Sequence, residues 1–265
     1  MTAAQNLSDR RSNRPLISCV ICAYNEAAKI GRCLEAVSGH PAIFQIIVVD
    51  DGSTDATAEI ARRFPDVRVM SHAPNCGKTH ALSRGIAAAT GDYIMLLDAD
   101  LDGITAADVQ ALADPVLRGA SEVSLSLRAN SLGVYRLIGL DFISGERLLP
   151  ARLVKPHVAA MQTLPRWGGE VFINELITRE AMSIAVVDWR GVFNVPKTEK
   201  VGPWRGGLQE LAMIGDLFRV LSPVMVVRQN IAMLNLVRRP KRRVLPSRAW
   251  WRQLSGLHGG MNAIP

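Results

Sequence analysis

A chain of 265 residues with 48% hydrophobic and 21% charged residues has the makeup of a globular protein able to bury a sizeable core, which sets aside disordered and fibrous classes. Its 31 Lys+Arg against 24 Asp+Glu leave a formal charge of +7. The excess gathers at the two ends, in Arg10, Arg11 and Arg14 and again in Arg238, Arg239, Lys241, Arg242, Arg243, Arg248 and Arg252.

Residues 1–15 form a polar leader without the apolar stretch of a secretory signal, so a cytoplasmic protein is expected. No membrane span is expected either, because the most apolar candidate, 211–237, is broken by Asp216, Arg219, Pro223, Arg228 and Gln229. From residue 16 the pattern is clear. A short apolar strand over 16–23 precedes a helix over 26–38, with Ala27, Ile30, Leu34 and Val37 at helical spacing and Gly39 as a stop. A second strand covers 43–49, and its helix starts near Asp55 and ends before Pro65. Strand 67–70, helix 79–89, strand 93–97, helix 106–117 and strand 122–127 continue the alternation. Such a series specifies an α/β fold, a mostly parallel sheet flanked by helices, with ligands beyond the carboxyl ends of the strands. Past residue 128 the pattern loosens into loop and helix over 133–153, a strand over 185–195 and an amphipathic helix over 207–221. Of Cys19, Cys22, Cys33 and Cys76, the first two lie in one extended run with side chains facing opposite sides, which favours buried reduced thiols over zinc or a disulfide.

The polar motifs fall at strand ends. Tyr24-Asn25-Glu26 follows the first strand, Asp50-Asp51-Gly52-Ser53-Thr54-Asp55 the second, and Asp98-Ala99-Asp100 the fourth. Two carboxylates separated by one small residue at a strand exit suit a hard divalent ion, although acidic residues there also serve as plain turn formers. Asp51 can accept from a base N–H or a ribose hydroxyl, and Asp55 can cap a helix; a turn with an N-cap explains the same residues without a ligand. Asn75-Cys76-Gly77-Lys78-Thr79 suggests a phosphate loop, but the leading glycine of that pattern would fall on His72. Lys78 at a helix start can still hold an anion, or be a solvated surface lysine.

Together these segments, with Ala81, Leu82, Gly85 and Gly91-Asp92-Tyr93-Ile94, resemble family 2 glycosyltransferases over about residues 16–128. One departure is Cys22, where the family usually has proline. The resemblance implies the GT-A (nucleotide-diphospho-sugar transferase) fold with C-terminal amphipathic helices. It implies a catalytic domain over 16–205, with a nucleotide-sugar half over 16–128 and an acceptor half over 129–205, and a helical, basic segment over 206–265. It further implies inverting transfer of a hexose from a UDP- or GDP-sugar, with Mg²⁺ or Mn²⁺ bridging the diphosphate. Tyr24, Glu26, Asp51, Ser53, Lys78 and Asp98 would then contact the nucleotide sugar, Asp98 and Asp100 would hold the metal, and Asp100 would rank with Glu170 as catalytic.

Asp141-x-x-Ser144-Gly145-x-Arg147, Trp167-Gly168-Gly169-Glu170 and Lys197-Thr198-Glu199-Lys200 resemble, more loosely, the polyprenyl-phosphate (dolichyl-phosphate mannose synthase-like) branch. That points to a glycan or polyprenyl-phosphate acceptor held by Arg128, Arg147, Lys197 and Lys200, which are otherwise ordinary surface cations. Glu170 is open to two readings: a base for a hydroxyl acceptor, or a structural carboxylate paired with a cleft cation. The basic tail with Trp250 and Trp251 suits an anionic membrane surface, and a peripheral position on the inner face of the cell membrane is expected. Nucleic acid is not expected as a partner, since it would leave the acidic cleft without purpose. Two other functions compete: a sugar-1-phosphate nucleotidyltransferase, whose Gly-rich loop after the first strand is missing here, and a non-catalytic sugar- or lipid-binding module.

Overall fold

The computed structural model describes residues 15–131, 133–166, 168–194 and 222–237. In chain order these form β1 (Ile17–Ala23), α1 (Ile30–Val37), β2 (Ile43–Asp50), α2 (Thr57–Arg62), β3 (Val67–Ser71), α3 (Lys78–Ala88), β4 (Tyr93–Asp98), β5 (Leu101–Asp102), α4 (Ala106–Leu117) and β6 (Val123–Arg128). There follow α5 (Gly133–Ile138), β7 (Arg147–Pro150), α6 (Ala151–Val154), α7 (Val158–Gln162), α8 (Gly169–Arg179), β8 (Ile184–Trp189), β9 (Phe193–Asn194) and α9 (Pro223–Val237). Seven strands make one sheet in the order β3-β2-β1-β4-β7-β6-β8, and β5 pairs with β9 beside it. All pairings in the large sheet are parallel except those of β7, which runs antiparallel to both β4 and β6. β7 and β8, from the half expected over 129–205, lie in the same sheet as β1 to β4.

Why the first strands read as unbroken apolar runs is plain from their two faces. Val20, Ile47, Val49 and Leu96 pack into one core with Leu82 and Ile86 of α3, whereas Cys19, Ile21, Val48 and Leu97 pack into another with Leu34 of α1 and Leu112 of α4. A strand covered on both sides has no polar face to alternate with. Cys22 faces the first core and Cys19 the second, as opposite-facing side chains require, and all four cysteines are free thiols; Cys76, however, is exposed.

The chain past β1 departs from the expected helix over 26–38, since regular helix begins only at Ile30. The backbone N–H groups of Asn25, Glu26 and Ala27 are spent instead on Ser53 Oγ (2.9 Å), Thr57 Oγ1 (2.8 Å) and Asp55 Oδ2 (3.1 Å). The loose region over 133–153 contains a strand that the pattern did not assign, β7, and the segment after Gly168 is the helix α8. The strand expected over 185–195 is split into β8 and β9; residue 195 lies outside the described residues, as do the expected helix over 207–221 and the basic tail.

Candidate active site at the strand ends

The register of the sheet brings the predicted motifs together. Ala23 of β1 pairs with Asp50 of β2, Cys22 pairs with Asp98 of β4, and Ser71 of β3 lies opposite Asp50, so four parallel strands end side by side. The turns that leave them are tied to one another. Asn25, held at φ 54°, accepts Thr54 N at 2.8 Å, and Asp50 Oδ1 accepts Ser53 N at 3.1 Å. Asp55 accepts Thr57 N and Ala27 N; burial opposes its ionisation, but the hydrogen bonds from Thr57 and Ala27 hold its carboxyl below the usual carboxylate value. Tyr24 projects from this lattice with 47% of its surface exposed.

Asp51 is placed differently from an open ligand group. Its two oxygens accept Cys76 N and Gly77 N, each at 2.8 Å, and its carbonyl accepts Asn75 Nδ2 at 3.0 Å. A carboxylate has about four lone-pair sites, so acceptance from a base is still open to it, but its first task is to shape the loop over 72–77. Gly77, at φ 96°, turns that loop into α3, and a Cβ there would stand 2.5 Å from Arg166 Cγ. Arg166 in turn accepts Thr79 N and Thr79 Oγ1 on its carbonyl, at 3.0 and 2.8 Å, and Gly169 N donates to Thr79 Oγ1 at 3.0 Å. These bonds dock the first turn of α8 on the first turn of α3.

That docking sets Lys78 beside Glu170. Lys78 Nζ lies 2.7 Å from Glu170 Oε1 and 2.7 Å from Asp98 Oδ1, a single ammonium bridging two carboxylates. Burial alone would lower the lysine pKa, but Asp98 and Glu170 outweigh it and raise it above the ordinary value, so Lys78 remains a cation. Burial likewise pushes the Asp98 carboxyl up, while Lys78 and then Arg128 pull it down further, so Asp98 remains an anion. Cys22, Lys78, Leu82, Asp98, Gly145 and Glu170 line a small cavity at this point. Asp98 and Asp100 are both half-buried at the exit of β4, with Ala99 between them 2% exposed. As hard oxygen donors on one short strand exit they fit a divalent ion such as Mg²⁺ or Mn²⁺.

A second network stands under Asp98. Arg128, at the end of β6, has Nη1 2.9 Å from Glu146 Oε1 and 4.0 Å from Asp98 Oδ2, and Nη2 3.7 Å from Asp141 Oδ2. Ser131 Oγ donates to Asp141 at 2.7 Å, and Ser126 and Ser144 donate to Glu146 at 2.7 and 2.6 Å. Gly145 passes so close that a Cβ there would lie 2.6 Å from both carboxylate oxygens of Asp98.

The expected acceptor cations therefore part ways. Arg147 is fully buried, donating to Asn174 Oδ1 at 2.8 Å and to the Ser144 carbonyl, so it presents no surface to an acceptor phosphate; it is a beam of the cleft floor. Arg128 reaches the cleft with 8% exposure. Lys197 and Lys200 lie outside the described residues, as does Trp167. Sequence reasoning did not single out Glu146, Asn174, Arg166 or His72. The first stands inside the Asp141-to-Arg147 motif, and a Glu between Gly145 and Arg147 was the available sign.

The fold is that of GT-A glycosyltransferases. Residues 18–134 match the glycosyl transferase family 2 model. Among curated relatives, the PGL/p-HBAD biosynthesis glycosyltransferase of Mycobacterium bovis is 28% identical over 81% of this chain and 73% of that one. The dodecaprenyl-phosphate galacturonate synthase of Rhizobium johnstonii is 30% identical over 46% of this chain and 39% of that one. The uncharacterized glycosyltransferase YibD of Escherichia coli is 37% identical over 32% of this chain, a match that spans only 26% of the relative's length. Glucosyl-3-phosphoglycerate synthase from Mycobacterium tuberculosis, crystallised with Mn²⁺, uridine-diphosphate-glucose and phosphoglyceric acid, is 25% identical with a TM-score of 0.60, covering 83% of this chain and 84% of that one.

Proposed function

We propose that this protein is an inverting glycosyltransferase that moves a hexose from a nucleotide-diphosphate sugar to a phosphate-bearing, lipid-linked acceptor. The observation that carries the reading is the Lys78 bridge between Asp98 and Glu170, set where β1, β2 and β4 end beside the Asp51 loop. Tyr24, Glu26, Asp51 and Ser53 line the nucleotide side, with the exposed Tyr24 ring available to stack on a base. Asp98 and Asp100 hold Mg²⁺ or Mn²⁺, which when bound offsets the negative charge that develops on the departing diphosphate. Lys78 supplies a further fixed cation at the same place, and Arg128 a third under it. Glu170, released from Lys78 as the diphosphate takes over that cation, is the carboxylate within reach to accept a proton where the attacking group of the acceptor is a hydroxyl, whereas an attacking phosphate is already ionised and leaves Glu170 to position Lys78. Inversion follows from a single displacement, which asks for no covalent nucleophile.

The acceptor class rests on lesser support. A dodecaprenyl-phosphate sugar synthase among the relatives and a phosphoglyceric acid ligand in the structural neighbour both favour an acceptor that carries phosphate. Among the described residues no helix is long and apolar enough to cross a membrane, while Val224, Val227 and Ile231 of α9 present exposed apolar side chains. We infer peripheral association with an anionic bilayer, checked by flotation with anionic vesicles at low salt; a protein that stays behind removes this part of the proposal. The function itself is tested by nucleotide release from UDP- and GDP-sugars with Mg²⁺ or Mn²⁺, with and without undecaprenyl phosphate. Lipid-stimulated, metal-dependent release is expected, and no release from any donor under either metal would overturn it.

A further inference from the structure

The loop after β3 carries a constellation that sugar transfer does not use. His72, Cys76 and His80, spaced His-x₃-Cys-x₃-His, each offer one ligand atom, and these atoms lie within 4.8 Å of one another. The fold creates the cluster in two moves. Asp51 gathers the loop by accepting Cys76 N and Gly77 N, which turns Cys76 back toward His72. The first turn of α3 then brings His80 round to the same side, where its ring meets that of His72 edge to face with centroids 5.2 Å apart.

Three nitrogens of this cluster stand out. His72 Nδ1, His72 Nε2 and His80 Nδ1 are buried and have no hydrogen-bond partner. His72 Nε2 does lie 2.7 Å from Asp51 Oδ1, close enough for an ion pair but without the alignment of a hydrogen bond. An unsatisfied buried donor or acceptor costs about 1–3 kcal/mol, and with His72 Nε2 set against Asp51 it is the two Nδ1 atoms that call for a partner. A thiol stands in the same cluster: Cys76 is exposed, with its sulfur 3.2 Å from the Pro74 carbonyl.

We propose that His72, Cys76 and His80 bind a borderline-soft divalent ion, zinc foremost, with Asp51 as the carboxylate that orients His72 and solvent as the fourth donor. Two imidazoles and a thiolate are zinc ligands, whereas the oxygen pair at Asp98 and Asp100 suits Mg²⁺ or Mn²⁺, so the two sites select different ions. A tetrahedral zinc places its donors roughly 3.3–3.8 Å apart, and side-chain rotations of about 1 Å close the present cluster to that size. Binding converts the Cys76 thiol to a thiolate and releases its proton to solvent. The ion would tie β3 to α3 through the loop that Asp51 holds, stiffening the nucleotide side of the cleft.

The test uses the full chain, stripped with chelator and titrated with Co²⁺ as a spectroscopic substitute for zinc. We expect one Co²⁺ per chain with a thiolate-to-cobalt charge-transfer band, displaced by Zn²⁺. Cys76→Ser, a change at an exposed position, should abolish the band, and His80→Asn should weaken binding by about 100-fold or more. The Asp98→Asn, Asp100→Asn double variant should keep both band and stoichiometry. Circular dichroism identifies any variant that fails to fold, and Cys76→Ala then replaces Cys76→Ser in the same titration. No charge-transfer band in the wild type, a band that survives loss of Cys76, or one lost in the Asp98/Asp100 variant would each overturn the proposal.

Discussion

The two networks that meet at Asp98 are built on opposite principles. On the β1–β2 side, short polar turns are laced by backbone N–H groups to side chains on the neighbouring turn, and much of the lattice remains at the surface, as with Asn25, Thr54 and Asp55. On the β6–β7 side, Arg128, Asp141, Glu146 and Arg147 form an ionic cluster in which Glu146 and Arg147 are fully buried. The first network leaves groups free to meet a ligand, while the second spends its charges on one another to fix Asp98 and Arg128. A charge in a motif is thus a ligand group only where the fold leaves it a lone pair or a proton to offer.

Substitutions should separate the two sides, beginning with the largest effect. Asp98→Asn or Asp100→Asn should lower metal-dependent kcat by about 10³-fold in a nucleotide-release assay. Glu170→Gln should lower kcat by about 10²-fold for a hydroxyl acceptor, with KM for the donor little changed; an unchanged kcat would leave Glu170 a positioning residue for Lys78. Arg147→Met should cost about 3 kcal/mol of stability by removing one member of a buried cluster, read from the urea midpoint. If Arg147 held an acceptor instead, the midpoint would stay and the acceptor KM would rise. Gly145→Ala should lower kcat about 10-fold with nearly native stability, because the added methyl displaces the Asp98 carboxylate rather than the core.

The smallest effect concerns pH. The folded pKa of Asp55 is depressed, so its contribution to stability is complete above its unfolded value of about 3.9 and is lost as pH falls through the lower folded value. Asp55→Asn should therefore shrink the loss of melting temperature on acidification below about pH 4, by roughly 1 °C given its exposure. A wild-type acid response in that variant would remove the Asp55 hydrogen bonds from the account.

These contrasts also mark how far the sequence could be read. Most strands and helices up to Arg128 were legible because two-sided burial writes apolar runs and helical spacing into consecutive residues, whereas the two-residue β5 and the late start of α1 at Ile30 were not. Strand β7 was not, because four residues buried on every side carry no alternation. Helix α8 was not, because it opens on glycines and buries residues around most of its circumference, Glu170 and Asn174 included, which erases an amphipathic stripe. Arg147 resembled a phosphate ligand by its motif; only the antiparallel placement of β7 between β4 and β6 turns it inward. The meeting of Lys78 with Glu170 depends on Thr79 bonding across to Arg166 and Gly169, contacts about ninety residues apart that no local pattern announces.

The central claim, that the strand-end carboxylates hold a metal for a nucleotide-sugar diphosphate, is tested most directly by Mn²⁺ binding followed by electron paramagnetic resonance in the presence and absence of UDP- or GDP-sugar. The wild type should bind one Mn²⁺ whose affinity rises with the sugar nucleotide, the Arg147→Met variant should retain that site where it folds, and the Asp98→Asn, Asp100→Asn double variant should lose it. Nucleotide-dependent Mn²⁺ binding of wild-type strength in the double variant would contradict the account.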